Sequence, residues 1–354
     1  MPARHILSYA RDLSGGGVER ALLRLAGGWT AAGRQVTLVL GRAEGPLAVD
    51  LPAGIGVVEL GGTAMPRLAR GLVHQARVAA PDILFCPGNH YTSVAAIARL
   101  RLGRACPPLV AKMSNAVSRG DHGFVLDCGH RLWLALHGRF LDHLVGMTPA
   151  SAAQAAAATG MVGRTSAIPN PPPVPLPGAP PPRLPPGRFV LGVGRLVRQK
   201  RWDRLVAALP ALDVPAVILG EGPERGALLA QATALGVADQ LHLPGHAADP
   251  LPAMARAALL VLPSDFEGVP GVLREALSVG TPVVATDSSP AVREIVADPT
   301  LGTIVARGDA AGLTTALQQW LARGERPAPV PLPGADSAAR YLELFDRLAA
   351  GRRA

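Results

Sequence analysis

Pro169-Asn170-Pro171-Pro172-Pro173-Val174-Pro175-Leu176-Pro177-Gly178-Ala179-Pro180-Pro181-Pro182-Arg183-Leu184-Pro185-Pro186-Gly187 divides the chain in two. Eleven of these 19 residues are proline. Each proline lacks an N–H donor and fixes φ, so the stretch fits neither a helix interior nor a central strand. It reads as a stiff, extended connection. Working outward, short apolar runs alternate with helical patterns on both sides. Before it the strand candidates are His5–Tyr9, Val36–Leu40, Val57–Leu60, Ile83–Phe85, Leu109–Met113, His143–Met147 and Ser166–Ile168. After it they are Phe189–Val193, Ala216–Leu219, Leu241–Leu243, Leu259–Leu262, Pro282–Ala285 and Thr303–Val305. Helical spacing fills stretches such as Val18–Ala32, Arg204–Leu209, Glu224–Leu235 and Val272–Val279. Strand–helix alternation predicts parallel sheets covered on both faces. The expected fold class is α/β, with two doubly wound domains.

Composition agrees with packed domains. The 354 residues are 49% hydrophobic and 17% charged, which argues against a disordered chain. No run of about 18 apolar residues predicts a membrane-spanning helix. The opening Met1–Tyr9 reads as a first strand without the apolar stretch of a signal peptide. Three widely spaced cysteines, Cys86, Cys106 and Cys128, show no zinc or disulfide pattern, so a reducing cytoplasm is the expected location.

Charge is uneven. Residues 1–168 carry 17 Lys and Arg against 9 Asp and Glu, a net +8, whereas residues 169–354 carry 18 against 17. The first half is expected to attract an anionic partner, such as a lipid-pyrophosphate acceptor or an anionic membrane surface. An ordinary solvated surface in an arginine-rich chain gives the same count. Nucleic acid is not an expected partner, since only 13 residues are Phe, Trp or Tyr and no binding motif is present. Arg67, Arg70, His74 and Arg77 are expected along one helix, and Arg131, Trp133, Leu134, His137 and Phe140 along another. Either set could face a membrane or pack on a sheet.

In doubly wound sheets ligands bind beyond the carboxyl ends of strands, so the loops after strands are searched first. Asp12 to Gly17 follows the first strand and includes three glycines, which admit a ligand to the backbone and open a helix. After the linker, Gly194 to Arg201 brings Arg195, Arg198, Lys200 and Arg201 together at a strand end. Arginine forks and a lysine amine suit phosphate oxygens, and Arg195 and Lys200 could hold a diphosphate. Gly220-Glu221-Gly222-Pro223-Glu224 reads as a helix start, with proline early and acids in the first turn.

The densest segment runs from Pro263 to Ala285. Glu267 lies in the loop and Glu275 about one turn inside the helix that starts near Gly271. Side chains tilt toward a helix N-terminus, so the Glu275 carboxylate is expected ~6 Å from the helix mouth. Gly268 and Gly271 leave N–H groups accessible between the acids. A sugar on a diphosphate needs both kinds of partner.

These residues resemble a known family. Glu267 and Glu275 are similar to the E-x7-E element of retaining family 4 glycosyltransferases, which have the GT-B architecture of two Rossmann-like domains facing a central cleft. Gly194-Arg195-x4-Lys200, Gly220-Glu221-Gly222-Pro223, Pro244-Gly245-His246, Gly280-Thr281-Pro282-Val283-Val284 and the glycine loop with Glu19 match the same pattern. The resemblance is close in the second half and loose in the first. It implies an acceptor-side domain over 1–170, a linker over 171–187, a nucleotide-sugar domain over 188–334, and a helix over 335–354 that returns to the first domain. It implies a retaining hexosyltransferase, moving a hexose or N-acetylhexosamine from a UDP- or GDP-sugar to a glycan or lipid-linked acceptor in cell-surface glycan synthesis. Another GT-B enzyme, such as a nucleotide-sugar epimerase, or a non-catalytic nucleotide-sugar-binding subunit, remains open on the same residues.

The implied catalytic group is Glu267, Arg195, Lys200 and His90. Arg195 and Lys200 would bind the diphosphate, Glu267 the sugar hydroxyls and Glu275 the ribose. Gly16, Gly17, Gly194, His246 and the backbone of Gly268, Val269, Pro270 and Gly271 complete the implied donor site, and Asn115 would face the acceptor. Neither a cofactor nor a metal is expected, because the cations can supply a metal's charge. The implied location is cytoplasmic, peripheral at the inner face of the cytoplasmic membrane.

Overall fold

The structure, a computed structural model, describes residues 2–14, 16–115, 117, 124–173 and 182–353. Part of the proline-rich connection, 174–181, lies outside the described residues, as does Gly15 of the glycine loop. The chain divides into two compact units. Unit 1 comprises Met1–Pro172 with Pro333–Ala354, and unit 2 is Pro173–Leu332.

Among its described residues unit 1 holds seven strands: β1 (His5–Ala10), β2 (Gln35–Leu40), β3 (Gly56–Glu59), β4 (Ile83–Cys86), β5 (Leu109–Lys112), β6 (His143–Gly146) and β7 (Thr165–Ala167). All pair in parallel, in the order β3-β2-β1-β4-β5-β6-β7. Among its described residues unit 2 holds six: β8 (Val190–Val193), β9 (Ala216–Leu219), β10 (Leu241–Gly245), β11 (Leu259–Leu262), β12 (Val283–Thr286) and β13 (Gly302–Val305). They are also parallel, in the order β10-β9-β8-β11-β12-β13. Every strand expected from the sequence forms, within one or two residues at its ends. The short apolar runs do so because both faces of each sheet are covered. Along β8, Val190 packs into one core and Leu191 into the other, as alternation along a strand requires.

Each sheet reverses its strand order once, between β1 and β4 in unit 1 and between β8 and β11 in unit 2. Loops leaving adjacent strands at such a point run to opposite faces and leave room beyond the carboxyl ends.

The helix Ser337–Arg353 belongs to unit 1. Its Tyr341 and Phe345 meet Trp29 and Phe85 edge to face, with ring centroids 5.2–6.0 Å apart. All four side chains are fully buried, and such pairs add about 0.5–1.5 kcal/mol each to the burial of their apolar area. Gly28 lets this helix approach the helix Gly17–Ala31, since a Cβ there would come 2.5 Å from the Ala338 Cβ.

One local expectation is corrected. Pro223 and Glu224 precede the helix Arg225–Ala234, whose first turn contains no acid. The turn forms where the Glu224 N–H donates to the Leu196 carbonyl, and Glu221 instead pairs with Arg225 at 3.1 Å. On the helix Phe124–Phe140, Leu134, His137 and Phe140 face inward as packing residues, whereas Leu126 and Leu132 face solvent. Arg67, Arg70, His74 and Arg77 lie along one helix, Met65–Ala79, as expected, and all four are exposed. Among the described residues no helix is long and apolar enough to cross a membrane.

Candidate active site

Unit 2 brings its predicted residues to the loops after β8 and β11. After β8 the backbone turns through Gly194, at φ 153°, where a Cβ would come 3.2 Å from Lys200 Cε. Glycine here lets the lysine stem pass over the strand end. Arg195 follows, exposed, its carbonyl fixed by the indole N–H of Trp202 at 3.0 Å. A single 3-10 turn, Arg198–Lys200, then aims Lys200 at the neighbouring loop.

Glu267 meets it there. Lys200 Nζ donates to Glu267 Oε1 at 2.7 Å, and Ser264 Oγ donates to the same oxygen at 2.6 Å. The two charged side chains are only 15% and 10% exposed. At low solvent exposure an ion pair is held by geometry as well as charge, and removing either partner leaves a costly buried charge. The Glu267 N–H donates to the Ser288 carbonyl at 3.1 Å, which anchors the loop to the end of β12. With Oε1 occupied twice, Oε2 is the oxygen left to accept from another donor. Sequence reasoning set Lys200 beside a diphosphate; its partner in the structure is Glu267.

Gly268, Val269 and Pro270 lead into the helix Gly271–Ser278, with Pro270 in extended geometry before its first residue. Glu275 reaches back as its tilt requires: its Oε1 lies 3.7 Å from where a Cβ on Gly271 would sit. The acid thus lies over the first turn, beside the helix mouth. His246 follows β10 directly and is exposed. Gly245, at φ 97°, sits where a Cβ would come 3.0 Å from Glu221 Oε1. This end of unit 2 therefore offers carboxylate acceptors, ammonium and guanidinium donors, and helix N–H groups. That set can neutralise a diphosphate and accept from hydroxyls at once.

Unit 1 assembles a second polar cluster from the loops after β1, β4 and β5. Gly16 precedes the helix Gly17–Ala31, and a side chain there would collide with the Glu19 carboxylate, whereas space at Gly17 is open. Tyr91 Oη donates to Glu19 Oε1 at 3.0 Å and accepts from the Arg11 N–H at 2.9 Å. His90 Nε2 lies 3.8 Å from the same Glu19 oxygen, with its ring 43% exposed. Desolvation lowers the His90 pKa, with Arg11 and Lys112 adding to the fall and Glu19 opposing it. The ring is therefore neutral at pH 7. Asn89 Oδ1 accepts from the Asn115 N–H at 3.0 Å, placing Asn115 beside His90's loop.

Beneath this cluster lies Lys112, 1% exposed, whose Nζ donates to Asn170 Oδ1 at 3.1 Å. Burial pushes its pKa down to about 8, with Glu19 acting in the opposite sense. Sequence reasoning gave no role to Lys112, Tyr91 or Ser264. Lys112 was visible as one of only two lysines, the other being Lys200. Nothing local marked Tyr91.

Comparison with known proteins follows this division. Residues 182–329 match the model of the glycosyl transferases group 1. The matched segment contains every unit 2 site residue above. Over 188 residues, 48% of this chain, the sequence is 35% identical to a 2-deoxystreptamine N-acetyl-D-glucosaminyltransferase of Streptomyces fradiae, covering 44% of that protein. Over 120 residues it is 36% identical to a Campylobacter jejuni transferase that adds N-acetylgalactosamine to a diphospho-undecaprenol-linked sugar, covering 33% of each chain. The chain thus matches less than half the length of these curated relatives. In structure it resembles Anabaena HepE in complex with UDP-glucose, with TM-score 0.73 and 21% identity over 98% of both chains. That likeness carries the α/β, GT-B fold.

Proposed function

We propose that the chain is a retaining glycosyltransferase that takes a hexose or N-acetylhexosamine from a nucleotide-sugar to a glycan or lipid-linked acceptor. One observation carries the reading: Lys200, Ser264 and Glu267 converge at the switch point of unit 2, beside the Glu275 helix mouth. The group 1 match over the same residues supports it, as do relatives named for N-acetylhexosamine transfer.

In this reading the sugar C1–oxygen bond to the diphosphate breaks and its electron pair passes to the leaving phosphate oxygen. Lys200 and Arg195 stabilise that charge, with the N–H groups at Gly271. Glu267 Oε2 accepts from sugar hydroxyls while Ser264 holds Oε1. The acceptor hydroxyl oxygen bonds to C1 on the face the diphosphate leaves, and its proton passes to the leaving phosphate. Fixed cations perform the neutralisation a divalent metal would, so EDTA is expected to leave turnover unchanged.

The test is a thermal-shift panel of UDP, GDP and ADP with their sugars. The matching nucleotide at about 100 Kd is expected to stabilise the protein by ~2.7 kcal/mol. No shift with any of them would overturn the reading. Transfer of labelled sugar to lipid-linked acceptors then separates an enzyme from a binding subunit. Flotation with anionic vesicles tests peripheral membrane association, for which exposed Arg67, Arg70 and Arg77 are the proposed contacts.

A further inference from the structure

Arg201, directly after Lys200, holds a left-handed backbone at φ 52° and ψ 42°. Only one other described non-glycine residue, Ala80, has positive φ. A Cβ disfavours the left-handed region, and a non-glycine residue persists there where its surroundings determine it. The surroundings here are two carboxylates. Arg201 Nε and Nη2 donate to Asp203 at 2.9 Å each, and Nη1 donates to both oxygens of Asp265 at 3.3 and 3.2 Å.

Asp203 lies in the first turn of the helix Trp202–Ala208, which Arg201 caps, but Asp265 stands in the loop after β11, two residues before Glu267. Further bonds tie the same two loops. The Asp265 N–H donates to the Gln199 carbonyl at 2.9 Å, and Gln199 Nε2 donates to the Phe266 carbonyl at 2.7 Å. Arg204 donates to the Pro263 carbonyl at 2.9 Å and to Asp265 Oδ1 at 2.6 Å. Lys200 and Glu267 therefore sit on opposite sides of a seam whose charged rivets are Arg201, Arg204 and Asp265. Of the cations gathered at this strand end, Lys200 meets Glu267 at the site and Arg201 meets Asp203 and Asp265 along the seam.

We propose that Arg201 is a positioning residue: its left-handed turn and its bridge to Asp265 set Lys200 Nζ against Glu267 and the nucleotide diphosphate. This rests on the reading of Lys200 and Glu267 as a nucleotide-sugar site. The geometry explains both features of the position at once. The left-handed turn sends Lys200 and Arg201 apart, one to the site and one to the seam. The bridge to Asp265 then stops the turn from relaxing.

The test is a double-mutant cycle read by calorimetric titration with whichever of UDP and GDP binds the parent more tightly. Arg201→Asn tolerates the left-handed backbone and removes the bridge; Asp265→Asn removes the bridge from the other side. Each is expected to weaken binding about tenfold, as misplacement of one charged hydrogen-bond donor should. In the Lys200→Ala background the same changes are expected to alter affinity less than about twofold, because the lysine they position is gone. An equal loss in both backgrounds would make the bridge a general structural element and overturn the proposal, as would full affinity in Arg201→Asn. Apo melting temperatures identify any variant that fails to fold, and Asp265→Asn then carries the cycle. If Lys200→Ala binds as tightly as the parent, or neither nucleotide binds the parent, the site reading falls and this proposal with it. Loss in Lys200→Ala with none in Arg201→Asn defeats the positioning role alone.

Discussion

In unit 1 the first strand leads to an acid, Glu19, and the fifth ends on a buried cation, Lys112. In unit 2 the first strand leads to the cation, Lys200, and the acid, Glu267, follows the fourth strand of its sheet. The strand order of the two sheets is otherwise the same, apart from one extra edge strand in unit 1. The pairing also differs. Lys200 touches its carboxylate at 2.7 Å, while Lys112 donates to a neutral amide and feels Glu19 without a direct bond. A shared topology thus fixes where polar groups gather. Side-chain placement decides whether a buried lysine is neutralised by contact or held partly against its preference.

The largest effect should come from the contact pair. Glu267→Gln preserves shape and removes the charge, and labelled-sugar transfer is expected to fall about 10²–10³-fold. A variant that retains full turnover would remove Glu267 from the chemistry. Next, the two lysines should respond oppositely to methionine. Lys200→Met leaves a buried carboxylate without its cation and is expected to destabilise by about 1–3 kcal/mol in urea titrations at pH 7. Lys112→Met removes an ammonium that burial disfavours and is expected to stabilise by a similar ~1–3 kcal/mol. The sign follows from its lowered pKa. The folded state favours the neutral amine, so stability drops as pH falls from 10.5 to about 8 and stays reduced below. The gain from Lys112→Met should therefore shrink at pH 10. Loss of stability in both variants would erase the contrast.

A smaller effect concerns His143, half-buried in unit 1 with Nε2 3.0 Å from Ser166 Oγ. Burial, with Arg347 and Arg164 nearby, lowers its pKa to about 4. Its folded form is neutral, whereas the unfolded chain takes up the proton near pH 6.5. The stability it contributes is complete above 6.5 and is lost as pH falls toward about 4. His143→Gln is expected to flatten that part of the decline, and parallel curves for parent and variant would refute it. The smallest effect should come from Arg293, 72% exposed, whose Nε donates to Asp287 at 3.0 Å. Arg293→Ala is expected to leave the melting temperature unchanged within error.

How legible each region was in the sequence follows from its spacing. Central strands such as β4, β9, β11 and β12 were readable because parallel strands buried on both faces appear as short apolar runs, whereas the edge strands β3 and β7 are partly exposed and were placed by the alternation around them. Glu267, Glu275 and their glycines were readable because they occupy nine consecutive positions that run from the loop after β11 into the first turns of the following helix. The pairing of Lys200 with Glu267 was not, since 67 residues separate them and only the order of β8 and β11 makes them neighbours. Tyr91 and Glu19, 72 apart, were hidden for the same reason. The partners of Arg201 were not legible either, because a run of cations shows charge and not direction, and Asp265 lies 64 residues away. Ser264 stood in the densest segment, yet a serine beside a proline carries no sign of which oxygen it will meet.

The return of Ser337–Arg353 to Trp29 and Phe85 has a consequence for biosynthesis. A ribosome must emit all of unit 2 before the aromatic cluster of unit 1 can close. Nascent unit 1 waits with Trp29 and Phe85 uncovered while some 160 residues are translated, and its completion reports that the second unit has already been made.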